Sequence, residues 1–167
     1  MACWVRRLAD HRRYAAVIGP GRCDDRTAAL AEEVGAGLAS AGFTLVTGGA
    51  FGAMEAASRG AHEAGGTVVG LLPGTERSDG NEWSDITLPT GLGHARNLAV
   101  VCSADVVVAV GGEWGTLSEI GLAGAVGRPV VLLAGWRLEH AAGMPSEIAY
   151  AQTASEAVEL AARLADT

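Results

Sequence analysis

The sequence predicts an α/β protein: a doubly wound parallel sheet with helices on both faces. Three observations carry this reading. Short β-branched runs alternate with longer, alanine-rich segments of helical period. The strand-like runs, "DVVVAVGG" (105–112) above all, show almost no polar alternation, as expected when both faces of a sheet are covered. Glycine clusters close three of these runs just before a helical segment.

The elements follow in order. "YAAVIG" (14–19) reads as a strand running into Gly-Pro-Gly, and 25–42 as a helix with Asp24 or Asp25 as N-cap and Gly42 as its stop. "FTLVTGG" (43–49) is the second strand, 51–66 the second helix ended by a glycine pair, and "TVVGLLP" (67–73) the third strand. The polar, turn-rich 74–84 is a surface loop, 85–90 a short strand and 92–103 a helix. Strand 105–112, helix 116–127, strand 129–135, an edge strand at 147–152 and an amphipathic helix at 153–166 complete the chain.

At 167 residues this is one expected domain, with 1–13 a frayed N-terminal segment. The arginines there (Arg6, Arg7, Arg12, Arg13) read as a solvated cluster. Formal charge is −7, which argues against a nucleic-acid partner. No apolar run is long enough for a membrane span or a signal peptide. Cys3, Cys23 and Cys102 match neither a disulfide framework nor a zinc pattern, so a reducing, cytoplasmic setting is expected, with no metal. All 12 basic residues are arginine. Without lysine there is no Schiff base to pyridoxal phosphate and no P-loop lysine.

In a doubly wound sheet, ligands bind outside the carboxyl ends of the strands. The glycine clusters fall there: Gly19 and Gly21 around Pro20; Gly48, Gly49 and Gly52; Gly111, Gly112 and Gly115. Glycine lets backbone N–H groups approach a phosphate, and helix N-termini add partial positive charge. Neither "GPGRCDD" nor "GGAFG" fits the dinucleotide fingerprint, so NAD is disfavoured. Thr116-Leu117-Ser118-Glu119 is by itself a capping box, with threonine and glutamate each closing on a backbone N–H. The local pattern leaves a helix cap and a phosphate site both open. His62 and His140 read as surface residues, and Trp83 and Trp136 as either contact or pocket residues.

"TGGAFGAMEAASRGAHEAGGTVVGLLPG" (47–74) and "GHARNLAVVCSADVVVAVGGEWGTLSE" (93–119) together resemble the LOG (LONELY GUY) superfamily. Its marks are a GGxxGxMEAA segment and a GGxGTxxE segment, with an arginine-bearing helix before the second. The resemblance spans residues 14–135 and implies a Rossmann-like fold and a homodimer or homotetramer. The cytokinin-activating members are phosphoribohydrolases, which cleave a nucleoside 5′-monophosphate to free base and ribose 5-phosphate. On that resemblance Arg96 and Glu119 are the catalytic pair, and Gly112, Gly115 and Thr116 the phosphate turn. The other glycines above, with Met54 and Trp114, complete the nucleotide-binding set.

His94, Asn97 and Glu113 are further candidates. Glu113 stands where the family carries a small residue, and Asn97 where the hydrolases carry lysine. The Arg96-Asn97 pair, the "TGL" before it (90–92) and "GTLSEI" (115–120) resemble a bacterial branch akin to the molybdenum cofactor carrier proteins, which bind a phosphorylated pterin. The expected function is therefore binding of a phosphorylated nucleotide-like ligand with hydrolysis of an N-glycosidic bond. The alternative is non-catalytic carriage of a nucleotide or molybdenum cofactor. The superfamily also includes proteins described as possible lysine decarboxylases; the missing lysine argues against that chemistry here.

Overall fold

The computed structural model describes residues 12–139, 141, 143 and 147–166. Seven strands form one parallel sheet: β1 (Arg13–Ile18), β2 (Phe43–Thr47), β3 (Val68–Leu72), β4 (Ile86–Pro89), β5 (Val106–Val110), β6 (Val130–Leu133) and β7 (Ile148–Ala151). Their order across the sheet is β4-β3-β2-β1-β5-β6-β7. The chain thus winds outward from β1 on one side, returns, and winds outward from β5 on the other. The expected doubly wound sheet is present, and β7 is the edge strand expected at 147–152.

Among the described residues five α-helices flank it: α1 (Asp25–Ser40), α2 (Ala53–Glu63), α3 (Arg96–Cys102), α4 (Trp114–Ala125) and α5 (Ala154–Ala165). One face packs under α1, α2 and α5 around Val17, Val34, Leu38, Leu45 and Val108. The other packs under α3 and α4 around Ile18, Val46, Val100, Val107 and Ile120. Because side chains alternate across a strand, β5 supplies both cores, and all five of its residues are buried.

Asp24 is the N-cap of α1: its carboxylate accepts from the Thr27 N–H at 2.8 Å. The helix expected at 92–103 is interrupted. Gly93 has φ +56°, in the left-handed region, so a 3-10 turn covers 93–95 and the α-helix starts only at Arg96. Arg13 is not part of a frayed segment. It begins β1, donates to the Ala41 carbonyl at 2.7 Å, lies over the Phe43 ring and pairs with Asp166. Arg12 is exposed, whereas Arg6, Arg7 and Cys3 fall outside the described residues. Half-exposed His62 pairs with Asp85 at 3.0 Å, and His140 also falls outside. Trp83 meets the His62 ring edge-on.

Two glycines bring α1 and α2 into backbone contact. A Cβ on Gly35 would sit 2.0 Å from the Ala57 carbonyl oxygen, and one on Gly60 would sit 2.1 Å from that of Glu32. Neither oxygen can swing aside, because both belong to helical backbone. Gly35→Ala is expected to destabilise the protein by about 1–3 kcal/mol, the usual cost of overpacking. The urea midpoint checks this; an unchanged midpoint would show that the helices separate freely.

Candidate functional site

The winding reverses between β1 and β5, which are neighbours in the sheet. Their connections depart to opposite faces, so a crevice opens beyond their carboxyl ends. The turn after β1 contributes Gly19, Pro20 and Gly21 to this crevice, the turn after β5 contributes Glu113, and α4 contributes Gly115, Thr116 and Glu119. Met54 of α2 and the stretch His94, Arg96 and Asn97 close it. The cavity is about 160 Å³.

The remaining predicted glycines stand behind the lining and shape it. Gly52 has φ +68°, and a Cβ there would meet the Pro20 carbonyl oxygen at 2.5 Å, so the β1 and β2 turns lean on each other. Gly111, also at φ +68°, turns the chain away from β5 against Thr27. Gly49 faces Leu72 and Gly70, and Gly112 faces the Trp136 ring. A Cβ on Gly48 would fall 2.3 Å from Arg96 Nη1 and 2.7 Å from the Met54 sulfur. Glycine at 48 is what leaves room for the guanidinium.

Three buried polar side chains converge here. Arg96 is 8% exposed, Thr116 2% and Glu119 6%. Arg96 Nε and Thr116 Oγ1 are buried without a hydrogen-bond partner. Among the described residues no carboxylate makes an ion-pair contact with Arg96. Burial holds the Arg96 guanidinium below its usual value, with the Glu119 charge acting against that. Burial pushes the Glu119 carboxyl up to about 7, and the Arg96 charge pulls it partly back. An unmet buried donor costs about 1–3 kcal/mol, so polar groups left this way point to a partner that arrives from outside the chain.

The capping-box reading of 116–119 is corrected. The helix begins at Trp114, with Glu113 as N-cap and no side-chain cap bond. Thr116 is therefore the third helical residue and cannot cap, and Glu119 lies buried a turn further on. The reason is the turn at Gly111, which releases the chain into helix three residues earlier than the Thr-x-x-Glu spacing implies. Glu113 is exposed at the rim.

Two contributors have no local signature. Pro20 lines the cavity between its flanking glycines. Asn81, buried in the 74–84 loop, donates from Nδ2 to the Ala50 carbonyl at 2.8 Å and from its backbone N–H to that of Gly49 at 2.9 Å, bracing the β2 turn. A lone asparagine in a polar loop reads only as a turn residue. Among the described residues no cluster of His, Cys, Asp and Glu is placed to hold a metal, and no helix is long and apolar enough to cross a membrane. Cys23 and Cys102 are free thiols.

Sheet order, winding and crevice define a Rossmann-like α/β protein. The chain belongs to the SLOG cluster4 family, whose model matches residues 12–164. Two similar solved structures fall in the LOG and molybdenum-cofactor-carrier-like branch. The molybdenum cofactor carrier protein of Chlamydomonas reinhardtii is 32% identical, with a TM-score of 0.83 over 94% of this chain and 100% of that one. The molybdenum cofactor binding protein of the phototrophic bacterium Rippkaea orientalis is 33% identical, with a TM-score of 0.82 over 91% of this chain and 96% of its own. An uncharacterized protein of Archaeoglobus fulgidus is 44% identical over 117 residues, which is 70% of this chain and 77% of that protein.

Proposed function

We propose that this chain, acting as one cytoplasmic domain, binds and carries a phosphorylated, nucleotide-like small molecule, with a molybdenum-cofactor-type pterin as the favoured cargo. The observation that carries this is the set of unmet polar groups at the switch point: Arg96 Nε and Thr116 Oγ1, buried around one cavity. A phosphate accepts from all of them. The first turn of α4 adds backbone N–H groups that have no partner within the helix, and its dipole favours the negative charge. The guanidinium fork suits phosphate oxygens in a way no single ammonium does. Similarity to carrier proteins over nearly the whole chain supports cargo binding as the primary role.

The test is titration of the pure protein with phosphorylated pterin under anaerobic conditions, followed by calorimetry. Saturable one-to-one binding, competed by inorganic phosphate, is expected. No heat and no competition would contradict the proposal.

Glu119 favours a second reading, hydrolysis. A carboxyl 6% exposed beside Arg96 could face the developing cation at C1′ of a bound nucleotide. The C1′–N bond would break while water gives its hydroxyl to C1′ and its proton to the base. Incubation with a panel of nucleoside 5′-monophosphates and an assay for ribose 5-phosphate decides this.

Assembly follows from the thinner covering of the α3–α4 face, where Leu98 and Val126 remain exposed. A homodimer or larger assembly is expected, since exposed apolar side chains on adjoining helices gain by mutual burial. Light scattering at micromolar concentration checks it, and a monomer mass would refute it.

A further inference from the structure

We propose that Trp114 and Trp136 form a platform on which the flat heteroaromatic ring of the phosphorylated ligand stacks. The inference deepens the binding function proposed above and rests on it.

Pockets that enclose a small ligand run to about 300–1,000 Å³, whereas the cavity around Arg96 is about 160 Å³. It takes a phosphate and the atoms next to it. A bicyclic ring attached to that phosphate must lie outside, over the rim.

The rim on the β5 side is aromatic. Trp114 is the first residue of α4 and stands between Glu113 and Gly115, both of which line the cavity. It is 78% exposed, far beyond the other exposed large apolar side chains of the described residues. Its ring lies 5.4 Å from that of Trp136, centroid to centroid, at an interplanar angle of 50°.

Trp136 is built in. Its Nε1–H donates to the Glu113 carbonyl at 3.3 Å, and its ring packs over Gly112, where a Cβ would fall 2.5 Å from Cδ1. Any other residue at 112 would push this ring off the turn. Trp136 also lines a second cavity of about 150 Å³, together with Arg137, Tyr150 and Gln152. Trp136 thus links the phosphate turn, through Gly112 and Glu113, to the second cavity.

An indole left in water loses the benefit of burial, and one that stands between two residues of the phosphate site offers an unoccupied π-face beside it. Stacking selects flat heteroaromatic rings without selecting among them. The platform thus confers class specificity, for nucleotides and pterins over phosphorylated sugars, while the Arg96 cavity supplies the anchor common to all.

The test uses two probes that share a phosphate: guanosine 5′-monophosphate, which carries a ring, and ribose 5-phosphate, which does not. Trp114→Ala removes an exposed side chain and leaves the fold intact. It should weaken the guanosine nucleotide by roughly 5- to 100-fold and leave ribose 5-phosphate within about twofold. Trp114→Phe should recover most of the loss. Arg96→Ala should weaken both probes alike. If Trp114→Ala leaves the nucleotide unchanged, or weakens both probes equally, the platform is wrong while the binding function stands. If the wild-type protein binds neither probe, the binding function falls and the platform with it.

Discussion

Arg96→Ala is expected to weaken binding of any phosphorylated ligand by on the order of 10³-fold, with the fold retained. The magnitude follows from two charge-assisted hydrogen bonds, each worth about 1.5–3 kcal/mol, made in a site largely shielded from water. Retention of the fold follows because the guanidinium makes no ion pair with a described residue: its Nε has no partner there, and the space beside it exists through Gly48. Arg96→Lys keeps the charge and loses the fork, so its affinity should fall between the two. Calorimetry with inorganic phosphate or a nucleotide measures all three. An Arg96→Ala protein that binds like wild type would remove Arg96 from the site.

Glu119→Gln separates binding from chemistry. The substitution keeps shape and removes charge, so ligand affinity should change little. If the protein hydrolyses nucleotides, turnover should fall about 10²-fold or more, because a charge facing the developing cation is gone. The wild-type rate should then rise with pH through about 7, where the buried carboxyl ionises. Near-full turnover in Glu119→Gln would strike out the catalytic role.

Stability gives an independent readout for the same variant. In the folded protein the carboxyl titrates at about 7, against an ordinary 4.5. Below 4.5 it is protonated in both states and stability is at its full value. Between 4.5 and 7 the unfolded chain ionises while the folded protein stays protonated, so stability falls. The loss is on the order of 3 kcal/mol and is complete above 7. Glu119→Gln, always neutral, escapes that loss. It should match the wild type at pH 4 and exceed it at pH 8 in chemical denaturation. Equal stabilities at pH 8 would mean that the carboxyl is solvated.

Most of the fold could be read in the chain, because a strand covered on both faces must be apolar throughout. Val106–Val110 shows this, and Ile148–Ala151 was recognisable even at the sheet edge. The region of the site was legible for a related reason: strands that end in glycine before a helix mark the carboxyl edge of a parallel sheet. Finer features were not. The register of α4 depends on the left-handed Gly111, so Thr-x-x-Glu mimicked a cap that the helix does not use. Gly93 divides what the apolar pattern presents as one helix. Asn81 and Trp136 act on turns 31 and 23 residues away in the chain, through contacts to Ala50 and Glu113 that have no periodicity to betray them. Sequence spacing reports the neighbours a residue has along a helix or strand; it says nothing of those brought by a crossover.

The central claim is that phosphate binds at the β1–β5 switch point. A crystal structure with a bound phosphorylated ligand tests it most directly. The phosphate is expected against the backbone of 112–116, within hydrogen-bond distance of the Arg96 guanidinium and the Thr116 hydroxyl, with the turn at 48–52 nearby. A phosphate bound elsewhere, with Arg96 Nε and Thr116 Oγ1 still unpartnered, would contradict it.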